Sequence, residues 1–204
     1  MEGNAAMEEC IEVIDSHGRV VDVLPRTQVH ARGLRHRVVH VWAYTWQNET
    51  CWVYLQRRSF EKQQAPGLYD WTATGHVDPG ESMRAAAARE CREEVGLSLA
   101  PEALVFAGVQ HLCAKTPHGV DDEECHIFIA QVDAPDFAPG EEVIAMKKVS
   151  LCQLQQMACG QRTTLELHDL QGSGRICVDR AQLSGFCEAY VRATCAAILS
   201  QRRA

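Results

Sequence analysis

No run of basic residues and no long apolar stretch occurs anywhere in these 204 residues. Lys and Arg number 20 against 27 Asp and Glu, for a formal charge of -7. Without a clustered basic face the chain lacks the footprint that neutralises a phosphate backbone, so no nucleic-acid polymer is expected as a partner. Nothing approaches the roughly 20 apolar residues that cross a bilayer. The start MEGNAAMEEC is acidic, unlike a signal or transit peptide. The expectation is a soluble, cytoplasmic protein with no membrane partner. Ten cysteines are present, yet no two are spaced as CxxC, which excludes a zinc knuckle and a thioredoxin-type motif. They are expected to be mostly buried free thiols, since Cys packs as a small hydrophobe. Internal repeats, low-complexity tracts and linkers are also lacking. One domain over 1–204 follows, with 1–9 read as a flexible tail.

What is there reads as strands mixed with a few helices, an α/β or α+β pattern. IEVID and VVDVL flank the turn SHGR, and VVHVWAYTW and CWVYLQRR flank QNET as a hairpin. LYDWTATGHV is a short strand ending in a loop between the turns APG and DPG. Residues 81–95 are Ala-rich and helical, with Gly96 where a left-handed cap belongs. Strands are expected at LVFAGVQHL, ECHIFIAQVD and VIAMKKVSL, then a short helix at LCQLQQMAC. An apolar stripe from Leu183 through Leu199 predicts a C-terminal helix over 179–203, docked on the domain.

The chemistry gathers in GHVDPGESMRAAAARECREEVGL, residues 75–97. On a helix, Glu90, Glu93 and Glu94 fall at i, i+3 and i+4 and project toward one side. Like charges so placed destabilise the helix unless something offsets them. A divalent cation does so, and Arg89, four residues before Glu93, can steady that carboxylate. Carboxylate oxygens with a loop carbonyl suit Mg²⁺ or Mn²⁺, above all where substrate phosphates complete the shell. An acidic helix face with no such context is ordinarily solvated and inert.

This segment resembles the Nudix box: Gly75, Glu81, Arg89, Glu90, Glu93, Glu94, Gly96 and Leu97 all fall where that pattern fixes a residue, and Cys91 stands at its inner aliphatic position. The resemblance implies an α/β/α sandwich with a mixed sheet and a metal-dependent attack of water on a diphosphate. It implies Glu90, Glu93, Glu94 and the Gly75 carbonyl as metal ligands, one carboxylate doubling as base, and Glu81 supporting Arg89.

Upstream, QRRSFEKQQAPGLYDWTATGHV is similar to the matching stretch of isopentenyl diphosphate isomerase, a Nudix relative, extending the likeness from about Leu34 to Leu151. That family grips the diphosphate with an Arg and a Lys, which here correspond to Arg58 and Lys62. Its second metal site implies His36, His76, Asp121 and Glu123, with His30 one residue off the expected spacing. Taken alone, each of these histidines could equally be a hydrogen-bonded structural residue. Glu123 is also the preferred carboxylate outside the box for the first metal, ahead of Glu124. Pairing into a homodimer is implied too.

The isomerase places a catalytic Cys before its Gly-His, where this chain has Thr74. Threonine is too weak an acid to exchange a proton with carbon. The reading is therefore a Mg²⁺- or Mn²⁺-dependent hydrolase of a small organic or nucleoside diphosphate. A true isomerase and a catalytically silent binding module are the alternatives. Tyr69, Trp71 and His111 are the expected walls for the group attached to the diphosphate.

Overall fold

The computed structural model describes residues 8–116, 119–133 and 135–202. Strands β1 (Cys10–Ile14) and β2 (Val20–Pro25) pair as an antiparallel hairpin, followed by helix α1 (Arg26–Arg32). Then come β3 (His36–Gln47), β4 (Thr50–Arg58), β5 (Tyr69–Asp70), β6 (Ala73–His76) and helix α2 (Met83–Val95). β7 (Val105–Thr116), β8 (Gly119–Gln131) and β9 (Val143–Ser150) precede helix α3 (Leu151–Ala158). β10 (Thr164–Asp169), β11 (Arg175–Asp179) and helix α4 (Glu188–Gln201) complete the fold. This is the α/β architecture with a mixed sheet.

β3 is the hub. It pairs antiparallel with β4 and β6 and parallel with β8, with His36 opposite Glu123 and His40 opposite both Ile127 and Thr74. Enclosed by neighbours on both edges, it is buried almost throughout and reads as a continuous apolar run. Its side chains still divide by the period of 2. Val39, Val41 and Ala43 pack beneath α2, while Trp42 and Tyr44 join the layer formed by α3 and α4. Small residues Ala86, Ala87 and Cys91 bring α2 close to the sheet, carrying its carboxylates to the end of β6.

The helix over the Nudix-like segment starts later than the sequence suggests. Ser82 is its N-cap, accepting from Ala85 N at 3.2 Å, so Glu81 stays outside the helix and free to reach Arg89. At the other end Gly96 takes the left-handed conformation (φ 68°) and Leu97 N donates to Cys91 O at 2.9 Å.

Several expectations are corrected. α1 was not foreseen, because seven residues are too few to show a period. The β10–β11 hairpin was missed as well: only Leu165, Leu167 and Val178 face inward, and polar neighbours mask the alternation. The C-terminal helix begins at Glu188 instead of Asp179. Asp179 instead caps a short 3₁₀ turn over Arg180–Gln182, and Gly185 (φ 58°) breaks the chain before α4. The strand expected to start at Glu124 starts at Gly119, so the acidic residues 121–123 lie within β8 as well. Five cysteines, at 10, 113, 152, 159 and 177, are exposed, and only Cys51, Cys91, Cys125 and Cys195 are buried, since several lie on outward faces of strands and helices. Residues 1–7 of the expected tail lie outside the described residues, but Glu9 is anchored, its carboxylate 2.9 Å from His76 Nδ1 and 3.3 Å from Arg26 Nη1.

Candidate active site

A cavity of about 580 Å³ opens where β3, β6, β8 and α2 converge. Glu90 and Glu94 line it from α2, Thr74, Gly75 and His76 from β6, Asp121 and Glu123 from β8, and Arg58 from β4. The remote stretches of sequence that carried the two resemblances thus meet at one place.

Glu94 is 4% exposed and held by two donors on a single oxygen: Thr74 N at 2.8 Å and Gln56 Nε2 at 2.7 Å both reach Oε2. Among the described residues nothing donates to its Oε1. Burial pushes the carboxyl up to about 7, against those hydrogen bonds. Glu90 is pushed up to about 8, first by burial and next by the charge of Glu94. It lies against Gly75, where a Cβ would come closer than 3.0 Å to the carboxylate, so only glycine admits this approach.

Arg89 organises the edge of the site. Its Nη2 donates to Glu81 Oε2 at 2.9 Å and to His76 O at 2.9 Å, and its Nη1 to Glu90 Oε1 at 2.6 Å and Glu93 Oε2 at 3.2 Å. The sequence reading put Glu93 on one face with Glu90 and Glu94. Its side chain does reach the Arg89 Nη1 that Glu90 also meets, but it is 50% exposed and shared with Arg92, outside the residues that line the cavity.

Arg58 is a buried cation, with Nη1 3.1 Å from Asp70 Oδ2 and Nε donating to Gln64 O at 3.2 Å. Lys62 also lines the cavity and pairs with Glu142. Tyr69 and Trp71 do not face the cavity as expected: both are sealed in the core, Trp71 stacked on Trp42 at 4.0 Å, and His111 is an exposed partner of Asp122. No aromatic ring of Phe, Tyr or Trp lines the cavity among the described residues. Its apolar wall is aliphatic, formed by Val38, Leu68, Leu112 and Leu183.

Beside the carboxylates, His30, His36 and His76 cluster with ring centroids 5.0 to 5.5 Å apart. Each has a ring nitrogen within 4.8 Å of those of the other two, and His36, Asp121 and Glu123 form an overlapping group on the same limit. Nε2 of His30, Nε2 of His36 and Asp121 Oδ1 are sealed from solvent with no hydrogen-bond partner among the described residues, both nitrogens facing that oxygen at 3.7 and 3.6 Å. Buried polar atoms left so are costly without a bound group. Burial, then the neighbouring His76, lowers His36 to about 4, and burial lowers His30 too, so the rings are neutral and able to ligate. Glu123 is raised to about 8 by burial and then Asp121. Glu124 faces elsewhere, toward Arg37 and His126.

Sequence reasoning set His30 aside on spacing; α1 and the turn at Gly33 bring it in. It also missed Gln56, Asp70, Glu9 and His40. A glutamine in the otherwise apolar run of β4 is the signal that could have found Gln56.

A protein-family model described as NUDIX domain matches residues 34–169. An uncharacterized Nudix hydrolase of Clostridium acetobutylicum is 27% identical over 151 residues, covering 72% of each chain. An isopentenyl-diphosphate Delta-isomerase of Streptomyces griseus subsp. griseus is 32% identical over 149 residues, 72% of this chain and 73% of that one. A crystal structure of a Deinococcus radiodurans protein superposes with a TM-score of 0.55 at 24% identity, over 74% of this chain and 90% of that one, a likeness of fold.

Proposed function

The chain belongs to the NUDIX family, with hydrolases of pyrophosphate bonds and diphosphate isomerases among its relatives, and from that premise we propose that it is a Mg²⁺- or Mn²⁺-dependent hydrolase of a small organic diphosphate whose organic group is aliphatic. The observation that carries this reading is the placement of Glu90 and Glu94 on the wall of the cavity that also holds Arg58. Two carboxylates crowded and buried without enough cations are what a divalent ion relieves, so the donor set fits the ion. When bound, such an ion neutralises charge on diphosphate oxygens and lowers the pKa of a water.

The chain's own residues do the rest. Glu90, Glu94 and the Gly75 carbonyl hold the ion, with Arg89 fixing Glu90 from behind. Gln56 and the Thr74 amide take one oxygen of Glu94 and leave the other for the ion. Arg58, steadied by Asp70, binds the diphosphate. The aliphatic wall favours an alkyl or alkenyl group over a nucleobase, which would ordinarily be met by a stacking ring.

A second cation site at His30, His36 and His76 with Asp121 and Glu123 is also proposed, on the sealed Nε2 atoms of His30 and His36, which face Asp121 Oδ1 at 3.7 and 3.6 Å without a hydrogen bond. Imidazoles with carboxylates suit a transition metal better than Mg²⁺.

The test is a panel of alkyl, alkenyl and nucleoside diphosphates incubated with Mg²⁺, with phosphate and monophosphate products resolved. Turnover of the aliphatic members supports the proposal; turnover confined to nucleotides overturns the aliphatic assignment. Isomerisation is tested in deuterated water with isopentenyl and dimethylallyl diphosphates. Thr74 has no means of moving a proton to carbon, so no deuterium is expected in the recovered substrates. Product formation in no arm would leave the silent binding module.

A further inference from the structure

His40 lines the cavity and takes no part in either proposed cation site. It sits on β3 opposite Thr74, whose amide holds Glu94, and it is 6% exposed. Its neighbours include Glu123 and Cys125, each contributing an atom within 4.8 Å of the others and of a His40 ring nitrogen.

The ring's chemistry is dictated from behind. Tyr190 of α4 is fully buried, packed edge-on against Trp42 and Trp71 at 5.7 and 5.4 Å between ring centroids. Its hydroxyl oxygen meets two partners: Trp42 Nε1 at 2.7 Å and His40 Nδ1 at 3.1 Å. An indole N–H can only donate, so the hydroxyl accepts from Trp42. The hydroxyl then has one proton of its own to place, and among the described residues His40 Nδ1 is the only other group that it meets. A hydroxyl proton left unplaced in the core would cost the full desolvation of that donor. Nδ1 is therefore the acceptor, and a neutral ring accepting at Nδ1 carries its proton on Nε2. That nitrogen has no partner among the described residues. His40 lines the cavity, and with Nδ1 turned to Tyr190, Nε2 is the ring nitrogen left for a ligand there.

We infer that His40 is a substrate-binding residue that donates its Nε2–H to an oxygen of the bound diphosphate, with its tautomer fixed by the Trp42–Tyr190–His40 relay. It would add a neutral, rigid donor to the charged grip of Arg58. Tyr190 is a positioning residue. It lies outside the segment matched by the family model, so the C-terminal helix contributes to the site without touching substrate. The inference rests on the proposed diphosphate site.

The experiment has two arms. In the first, histidine-labelled protein is examined by long-range ¹H–¹⁵N NMR. His40 should appear as the Nε2–H tautomer in the wild type and become a mixture in Tyr190→Phe, which keeps the ring and removes the hydroxyl. A wild-type His40 protonated on Nδ1 overturns the relay. In the second arm, binding of inorganic pyrophosphate with Mg²⁺ is measured by calorimetry on folded proteins. His40→Leu should weaken it about tenfold or more, while His40→Gln, whose amide can place an N–H near the position of Nε2, stays within about threefold. Unchanged binding by His40→Leu removes His40 from the site and leaves the diphosphate reading standing. A wild type that does not bind pyrophosphate removes both.

Discussion

Gly75 and Glu90 occupy adjoining space so closely that no side chain fits at residue 75 unless Glu90 moves: a Cβ there would fall closer than 3.0 Å to the Glu90 carboxylate. The first residue of the box and the first carboxylate of its helix are thus one steric unit. Gly75→Ala must push Glu90 out of place, and a displacement of about 1 Å at a reacting centre can cost on the order of 10² in rate. The expected result is a loss of that size in kcat with the fold intact, checked by steady-state kinetics beside circular dichroism. Activity within about twofold of wild type would mean that Glu90 has freedom to move.

The two consecutive carboxylates Glu93 and Glu94 should separate in their effects. Glu94→Gln removes a buried carboxylate at the cavity and should lower turnover by at least about 10² at saturating Mg²⁺. Glu93→Gln alters a half-exposed group bound to Arg89 and should cost less than about tenfold. Equal losses would place Glu93 in the site after all, bringing back the arrangement expected from helical spacing.

Metal-free protein should become less stable as pH rises from about 6.5 to about 8. Burial raises Glu90 to about 8 and Glu94 to about 7 in the folded chain, from the ordinary 4.5. Over that window these two groups keep protons that the unfolded chain has lost, so each added pH unit favours unfolding; below about 6.5 the buried His36 and His40, neutral in the fold and protonated in the unfolded chain, act in the opposite sense. Mg²⁺ binds the deprotonated carboxylates and should flatten the slope. Thermal unfolding at several pH values, with and without Mg²⁺, measures this. A slope that persists unchanged in Glu90→Gln/Glu94→Gln belongs to other groups.

His36→Ala should abolish retention of a transition metal at the histidine cluster while leaving Mg²⁺ binding at the α2 carboxylates within about threefold. Elemental analysis after exposure to Zn²⁺ or Mn²⁺ followed by desalting would show it. Wild-type protein that retains no metal under these conditions would return the three histidines to a structural role.

Native protein should react quickly at Cys10, Cys113, Cys152, Cys159 and Cys177 with a thiol reagent, and at Cys51, Cys91, Cys125 and Cys195 only after unfolding. Burial pushes the Cys51 and Cys195 thiols up to about 12, so the reactive thiolate is scarce as well as hidden. Peptide mass spectrometry of timed labelling reads each site separately.

Much of this was legible in the sequence because it is local. The cap at Gly96, a helix over the Ala-rich stretch that ends at Val95, and the spacing of Arg89 from Glu93 are properties of a few consecutive residues, and backbone propensity and the helical period express them directly. The likeness of residues 75–97 to the Nudix box, and of the stretch upstream to the isomerase, placed Arg58, Glu90, Glu94 and Glu123 at a site before any fold was visible. Tertiary structure alone decided which of those side chains share an environment. Helical spacing could not tell Glu93 from Glu94, because that depends on the sheet beneath α2. Strand register, not sequence distance, set His36 opposite Glu123, and α1 brought His30 to the same place. Trp71 and Tyr69 read as binding aromatics but face inward, because the parity of a strand is fixed by its neighbours. The tautomer of His40 depends on a hydroxyl 150 residues away, and no local rule reaches that far.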